Sequence, residues 1–210
     1  MKRKNYLQYF KLFFALLGIV AVLTEIIVLN ARGIFNPFNF FSFFTIQSNI
    51  FAAVMLFVSA CVIGRNSSRL NFFRGAATLY MVMTGAIFAV LLSNIDPRLL
   101  TAVPWDNVVL HYIMPVVMLL DWIIDRSHPP VRLQRAVLWL IVPLVYVVYT
   151  LVRGPLVGWY PYPFLNPNIT DGYGSIALTS LVITSFVLIS IWVIVRVQYL
   201  VVQPSKRRVS

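Results

Sequence analysis

Phe43 to Ile63 reads FFTIQSNIFAAVMLFVSACVI. A helix over this run crosses the roughly 30 Å hydrocarbon core of a bilayer, because each residue advances about 1.5 Å. Its first turns nevertheless carry Thr45, Gln47, Ser48 and Asn49. An unpartnered polar group in hydrocarbon costs several kcal/mol, so four of them at the mouth of a span mark a place where the chain uses polarity.

Five further apolar runs flank this one: Leu12 to Leu29, Phe72 to Leu92, Val108 to Ile124, Val137 to Val152, and Ile176 to Tyr199. The expected fold class is all-α, a polytopic membrane protein in which residues 1–210 form a single integral membrane domain with six transmembrane helices. Composition agrees. The 210 residues are 60% hydrophobic and 11% charged, against about 25% charged in a typical soluble domain. Mean hydropathy is +0.85. The start, Met1-Lys2-Arg3-Lys4, imitates a secretory signal, but the first apolar run continues to Leu29 without an obvious cleavage site and reads as a retained helix. Cys61 is the single cysteine, so no intramolecular disulfide forms, and it reads as a small packing residue.

The net charge of +11 falls in short clusters between the apolar runs. Nucleic-acid binding needs a basic face, which this pattern does not make. Topology accounts for the charge instead. Fourteen of the 17 Lys and Arg residues lie in the amino-terminal tail and first turn, the second and fourth connections, and the carboxy-terminal tail; Arg32, Arg98 and Arg153 are the exceptions. Because basic loops stay on the cytoplasmic side, both termini are expected inside and the three odd connections outside. The fifth connection, Arg153 to Gly174, has prolines at 155, 161, 163 and 167 among Trp159, Tyr160, Tyr162 and Phe164, and reads as a stiff aromatic cap. Small residues at Gly85 and Ala89, and at Ala177, Ser180 and Thr184, read as helix-packing positions.

Thr45, Ser48 and Asn49 share one helical face, and Gln47 points elsewhere. With Ser42 as a cap, Thr45 stands near the third helical position, where backbone N–H groups lack intrahelical acceptors and favour negative charge. In isolation, a threonine in a span commonly bonds its own backbone, and an asparagine commonly joins helices. His111 lies about one turn into the fourth span within HYIMP, where Pro115 removes the hydrogen bond to the His111 carbonyl and should kink the helix. Both spans run inward from the same side, which places Thr45 and His111 at similar depth. Asn107 shares the His111 face and either orients substrate or meets the membrane interface. Glu25, late in the first span, either orients the imidazole or pairs structurally, and the structural role is preferred. Asp121 and Asp125 are expected to pair with Arg126, Arg132 or Arg135, and His128 has no evident partner. No metal-ligand spacing, nucleotide-binding glycine pattern or serine nucleophile elbow occurs, so neither metal nor cofactor is expected.

FFTIQSN, together with HYIMPVVMLLDW in the fourth span and the aromatic-proline fifth connection, resembles the androgen-induced and androgen-dependent membrane hydrolase family and its bacterial relatives. The resemblance implies a six-span threonine hydrolase of fatty acid esters of hydroxy fatty acids, with Thr45 as nucleophile and His111 as base. The connection between the two motifs is shorter than in animal members, so their lipid does not transfer directly. The implied setting is a bacterial cytoplasmic membrane with the site towards the external face, a lipid ester as substrate, and membrane lipids as surroundings. Ser48, Asn49, Asn107 and Glu25 are the secondary candidates for substrate or oxyanion contacts. The alternative is a small-molecule or lipid transporter or binding protein with a polar intramembrane site. A third reading is a structural partner of another membrane complex.

Overall fold

The computed structural model of the chain describes residues 2–94 and 101–201. Arg98, Lys206, Arg207 and Arg208, which enter the topology argument, lie outside the described residues. Among the described residues six helices are long and apolar enough to cross a membrane: α1 (Lys4–Ala31), α2 (Phe44–Cys61), α3 (Ser68–Leu92), α4 (Pro104–Ile124), α5 (Leu133–Val157) and α6 (Gly172–Leu200). No strand occurs among the described residues. The chain is an all-α, multi-pass membrane bundle.

Five of the six helices run past the apolar segments that announce them, because hydropathy locates the membrane core and not the helix ends. Ser67 caps α3, its hydroxyl oxygen accepting the Leu70 N–H at 3.2 Å, so α3 starts before the first apolar residue. Pro104 opens α4 in the first turn, where its missing N–H has no cost. Gly158, at φ 65°, closes α5 in the left-handed conformation that glycine adopts without strain.

The expected break at Pro115 takes a specific form. Residues Val109–Ile113 make a π-helical turn, and the α-helix resumes at Met114 with Pro115 in its first turn. The displaced hydrogen bonding is absorbed upstream of the proline. Gly85 of α3 packs here: a Cβ on it would stand 3.0 Å from Pro115 Cβ and 3.3 Å from the His111 carbonyl oxygen. Gly85 is therefore a close-approach position, whereas its expected companion Ala89 is exposed. Ala177 is exposed as well, and Ser180 and Thr184 line a cavity between helices.

The bundle has an inner and an outer set. The most apolar windows of α2, α3 and α4 are 61, 61 and 56% buried, against 28, 22 and 28% for α1, α5 and α6. Polar chemistry shielded from lipid must come chiefly from the inner three. One apolar core joins α1, α2 and α4 through residues such as Val22, Leu56 and Leu110; the other joins α3, α5 and α6 through Leu79, Trp139 and Ile191.

At the end of the bundle remote from Thr45 the expected surface ion pairs are replaced by a buried network. Asp121 and Asp125 pair with Lys11 and Arg74, not with Arg126, Arg132 or Arg135. Lys11 Nζ is 3.0 Å from Asp121, and Arg74 Nη2 is 2.7 Å from Asp121 and also donates to its backbone carbonyl. Two cations and two carboxylates cancel, which is the condition for burying them. Burial disfavours ionised Asp125, but Arg74 and Lys11 outweigh it and hold its carboxyl well below the usual carboxylate range. His128 does have partners: Nδ1 accepts the Ser67 N–H at 3.3 Å, and Nε2 lies 3.9 Å from Asp125.

Candidate active site

The site begins with how α2 starts. Phe43, in extended conformation, is the cap residue and offers no side-chain hydrogen bond. Ser42 is not the cap. Its hydroxyl bonds the Phe38 carbonyl at 2.6 Å and meets the Tyr149 hydroxyl at 2.8 Å. Thr45 is thus the second helical residue, and its N–H has no acceptor in the helix. Tyr162 of the fifth connection supplies one: the Thr45 N–H donates to the phenol oxygen at 3.2 Å, and the Thr45 hydroxyl lies 3.2 Å from that same oxygen.

His111 completes the group. Its Nε2 is 3.3 Å from Thr45 Oγ1, and its Nδ1 is 3.1 Å from the Asn107 backbone carbonyl. A carbonyl oxygen only accepts, so Nδ1 carries a proton, and in the neutral ring Nε2 presents a lone pair to the threonine hydroxyl. Both side chains are buried, and the imidazole stacks on Phe88 of α3 with ring centroids 4.0 Å apart. One hydrogen-bond assignment satisfies every member: Tyr162 donates to Thr45 Oγ1, Thr45 donates to His111 Nε2, and His111 donates to the Asn107 carbonyl.

The secondary candidates occupy different places. Asn49 is a clamp: its amide donates to the Thr45 carbonyl at 2.9 Å and to the Leu110 carbonyl, in the π turn, at 3.1 Å. It fixes α2 against the residue before His111. Ser48 donates to the Thr45 carbonyl and pairs with Thr84 of α3 at 2.8 Å, so it joins helices and does not face the Thr45 hydroxyl. Asn107 contributes its backbone carbonyl; its buried side-chain oxygen has no partner among the described residues. Glu25 does not touch the imidazole. Its two oxygens accept the Ala102 N–H at 2.8 and 2.9 Å, and Arg32 donates to the Ala102 carbonyl, so both hold the chain where it enters α4. The backbone carbonyl of Asn107 therefore takes the orienting position offered to Glu25.

Sequence reasoning missed Tyr162 as a member of the group, placing it only as amphipathic surface in the cap. The cap is built to deliver it. Tyr160 packs on α5 where Gly154 leaves room, since a Cβ there would stand 2.0 Å from the ring. Arg153 bonds Asn39 at 2.6 Å and lies over Trp159, whose ring meets Phe43 edge-on at 5.5 Å. Phe43 in turn packs on Tyr162, and Phe164 stacks on it at 5.3 Å. Burial pushes the Tyr162 phenol above its ordinary range, with the Thr45 contacts opposing, so it stays a proton donor.

Two cavities meet at Thr45. One is a narrow apolar crevice between α3, α5 and α6. The other is a wider, more polar vestibule under the cap, lined by Glu25, Thr101, His111, Tyr160 and Asn166. Thr45, Tyr162 and Leu92 stand in the walls of both. Comparison with family models, curated proteins and solved structures returns no match for this chain. No cluster of three metal-ligating side chains occurs among the described residues. What the group offers chemically is a hydroxyl with its proton directed at a neutral imidazole nitrogen, a second donor beside it, and two routes of approach.

Proposed function

We propose that the protein is an intramembrane hydrolase of lipid esters that works through an acyl-threonine intermediate. The observation that carries this reading is the aligned relay from the Thr45 hydroxyl to His111 Nε2 and from His111 Nδ1 to the Asn107 carbonyl. The resemblance of FFTIQSN and HYIMPVVMLLDW to the androgen-induced and androgen-dependent hydrolases supports the same reading, on the same two residues.

His111 takes the Thr45 proton as Oγ1 attacks the ester carbonyl, and the carbonyl electron pair moves to oxygen. The Tyr162 phenol, released from Oγ1 as that oxygen forms its new bond, donates to the oxyanion. Collapse expels the alcohol, which leaves with the proton from His111 and gives an acyl ester on Thr45. A water then attacks with His111 as base, releasing the acid and restoring the hydroxyl. Positioned donors of this kind contribute on the order of 3 kcal/mol each to lowering such a barrier.

The site faces the external side in this reading, with both termini cytoplasmic, in a bacterial cytoplasmic membrane. Lys11 and Arg74 are withdrawn into the buried network and do not bear on orientation. The remaining described cations still divide unevenly: Lys4, Arg65, Arg69, Arg126, Arg132, Arg135 and Arg196 are exposed at the far end, and only Arg32 and the half-buried Arg153 stand near the site.

Intact-mass analysis after treatment with a fluorophosphonate probe tests the proposal. A single adduct on Thr45, absent from Thr45→Ala and slowed in His111→Ala, is expected. Equal labelling of the wild type and Thr45→Ala would refute it.

A further inference from the structure

The crevice between α3, α5 and α6 differs from the vestibule in its walls and its direction. From Thr45 and Leu92 it descends along α3 to Met83, nine residues earlier, a run of roughly 13 Å at 1.5 Å per residue. Leu140 of α5 and Val187 of α6 stand at the same deep end, and Val187 is almost fully buried. One turn before Met83 the Tyr80 phenol donates to the Trp139 carbonyl at 3.0 Å, which ties α3 to α5. The side is open. Beyond Leu140, α5 does not pack closely on α6, and Leu144 in the crevice wall is 46% exposed on the lipid-facing surface.

A long, narrow, apolar space with one end at a nucleophile and one side towards lipid fits a single extended hydrocarbon chain. The vestibule, with Glu25, Thr101 and His111 among its walls, offers polar partners that the crevice lacks. We infer that the crevice is the acyl-chain subsite, that the chain passes laterally from the bilayer between α5 and α6, and that Met83, Leu140 and Val187 set the chain length accepted. The alcohol half of the ester and the hydrolytic water occupy the vestibule. This assignment rests on the hydrolase reading for which half of the substrate reacts, but the presence of a chain in the crevice does not depend on turnover.

The test has two arms on the full-length protein. Butyrate, hexanoate and decanoate esters of one fluorogenic alcohol are compared in the wild type, Val187→Trp and Met83→Phe. The ratio of decanoate to butyrate kcat/KM is expected to fall at least tenfold in Val187→Trp and in the same direction in Met83→Phe; an unchanged ratio would overturn the length assignment. In the second arm, a decanoate analogue with a terminal diazirine is photolysed with Thr45→Ala. Label is expected on peptides containing Met83, Leu140 or Val187, and label confined to exposed positions of α1 or α6 would overturn the subsite. Deep-end labelling without ester turnover in the wild type would retain the chain site and defeat the hydrolase reading.

Discussion

The Tyr162 phenol oxygen lies 3.2 Å from both the backbone nitrogen and the hydroxyl oxygen of Thr45. It closes the unsatisfied start of α2 and stands beside the atom proposed to attack. Removing the phenol hydroxyl in Tyr162→Phe leaves the aromatic packing against Phe43 and Phe164 in place and deletes one donor. Loss of a positioned oxyanion donor costs on the order of 100- to 1,000-fold in kcat. Steady-state hydrolysis of a fluorogenic ester should show that fall with KM little changed. A purely structural Tyr162 would lower the melting temperature and leave kcat nearly intact.

Asn49 holds the Thr45 carbonyl and the Leu110 carbonyl with the same amide. Asn49→Leu removes both donors: the Leu110 carbonyl loses its partner from α2, while the Thr45 carbonyl keeps the Ser48 hydroxyl. An unsatisfied buried group costs about 1–3 kcal/mol, so the thermal midpoint in detergent should fall. Because Leu110 precedes His111, the variant should also slow fluorophosphonate labelling of Thr45 even at temperatures where it remains folded. Unchanged labelling with reduced stability would assign Asn49 to helix packing alone.

How much of this was legible in the sequence depends on range. The six spans could be read because each is a continuous apolar run, and Thr45 and His111 could be set at one depth because both lie within about two turns of span starts on the same side. Their contact across 66 positions required the packing of α2 on α4. Tyr162 is 117 positions from Thr45 in an aperiodic loop, where an aromatic residue has no pattern to distinguish a site member from an interfacial anchor. Lys11 and Arg74 were misleading for the opposite reason. Each looked like a topological charge at the edge of an apolar run, and the helices extend past those edges and turn both inward onto Asp121 and Asp125.

Arg74 is the hub of that buried network, donating to the Asp121 side chain and backbone and to Asn71. Arg74→Ala leaves Asp121 with Lys11 as its remaining cation and opens space beside Trp122, over which the guanidinium lies. Breaking a buried pair by removing one partner costs about 3–5 kcal/mol. The variant is therefore expected to unfold at a much lower temperature than the wild type, whereas exposed Arg135→Ala should shift the midpoint by less than about 0.5 kcal/mol. Similar melts for the two variants would contradict the network's role.

His128 gives the same end of the molecule a pH dependence. It lies outside the spans. Burial, then the nearby Arg74 charge and to a smaller extent Lys11, push its imidazole down from 6.5 to about 4, with Asp125 and Asp121 opposing. The folded state holds it neutral, accepting the Ser67 N–H through Nδ1, while the unfolded chain takes up a proton once the pH drops below 6.5. Stability from this group is complete above about pH 6.5 and is lost as pH falls towards 4, by on the order of 3 kcal/mol. Asp125 acts in the same direction lower down, since its depressed folded pKa contributes above the ordinary value of 3.8 and is lost below it. Melts of the wild type between pH 7.5 and pH 4.5 should therefore fall steeply, and His128→Asn, which keeps an acceptor near Ser67 but cannot take up a proton, should flatten the curve above pH 4.5. An unaltered slope in that variant would place the titrating group elsewhere.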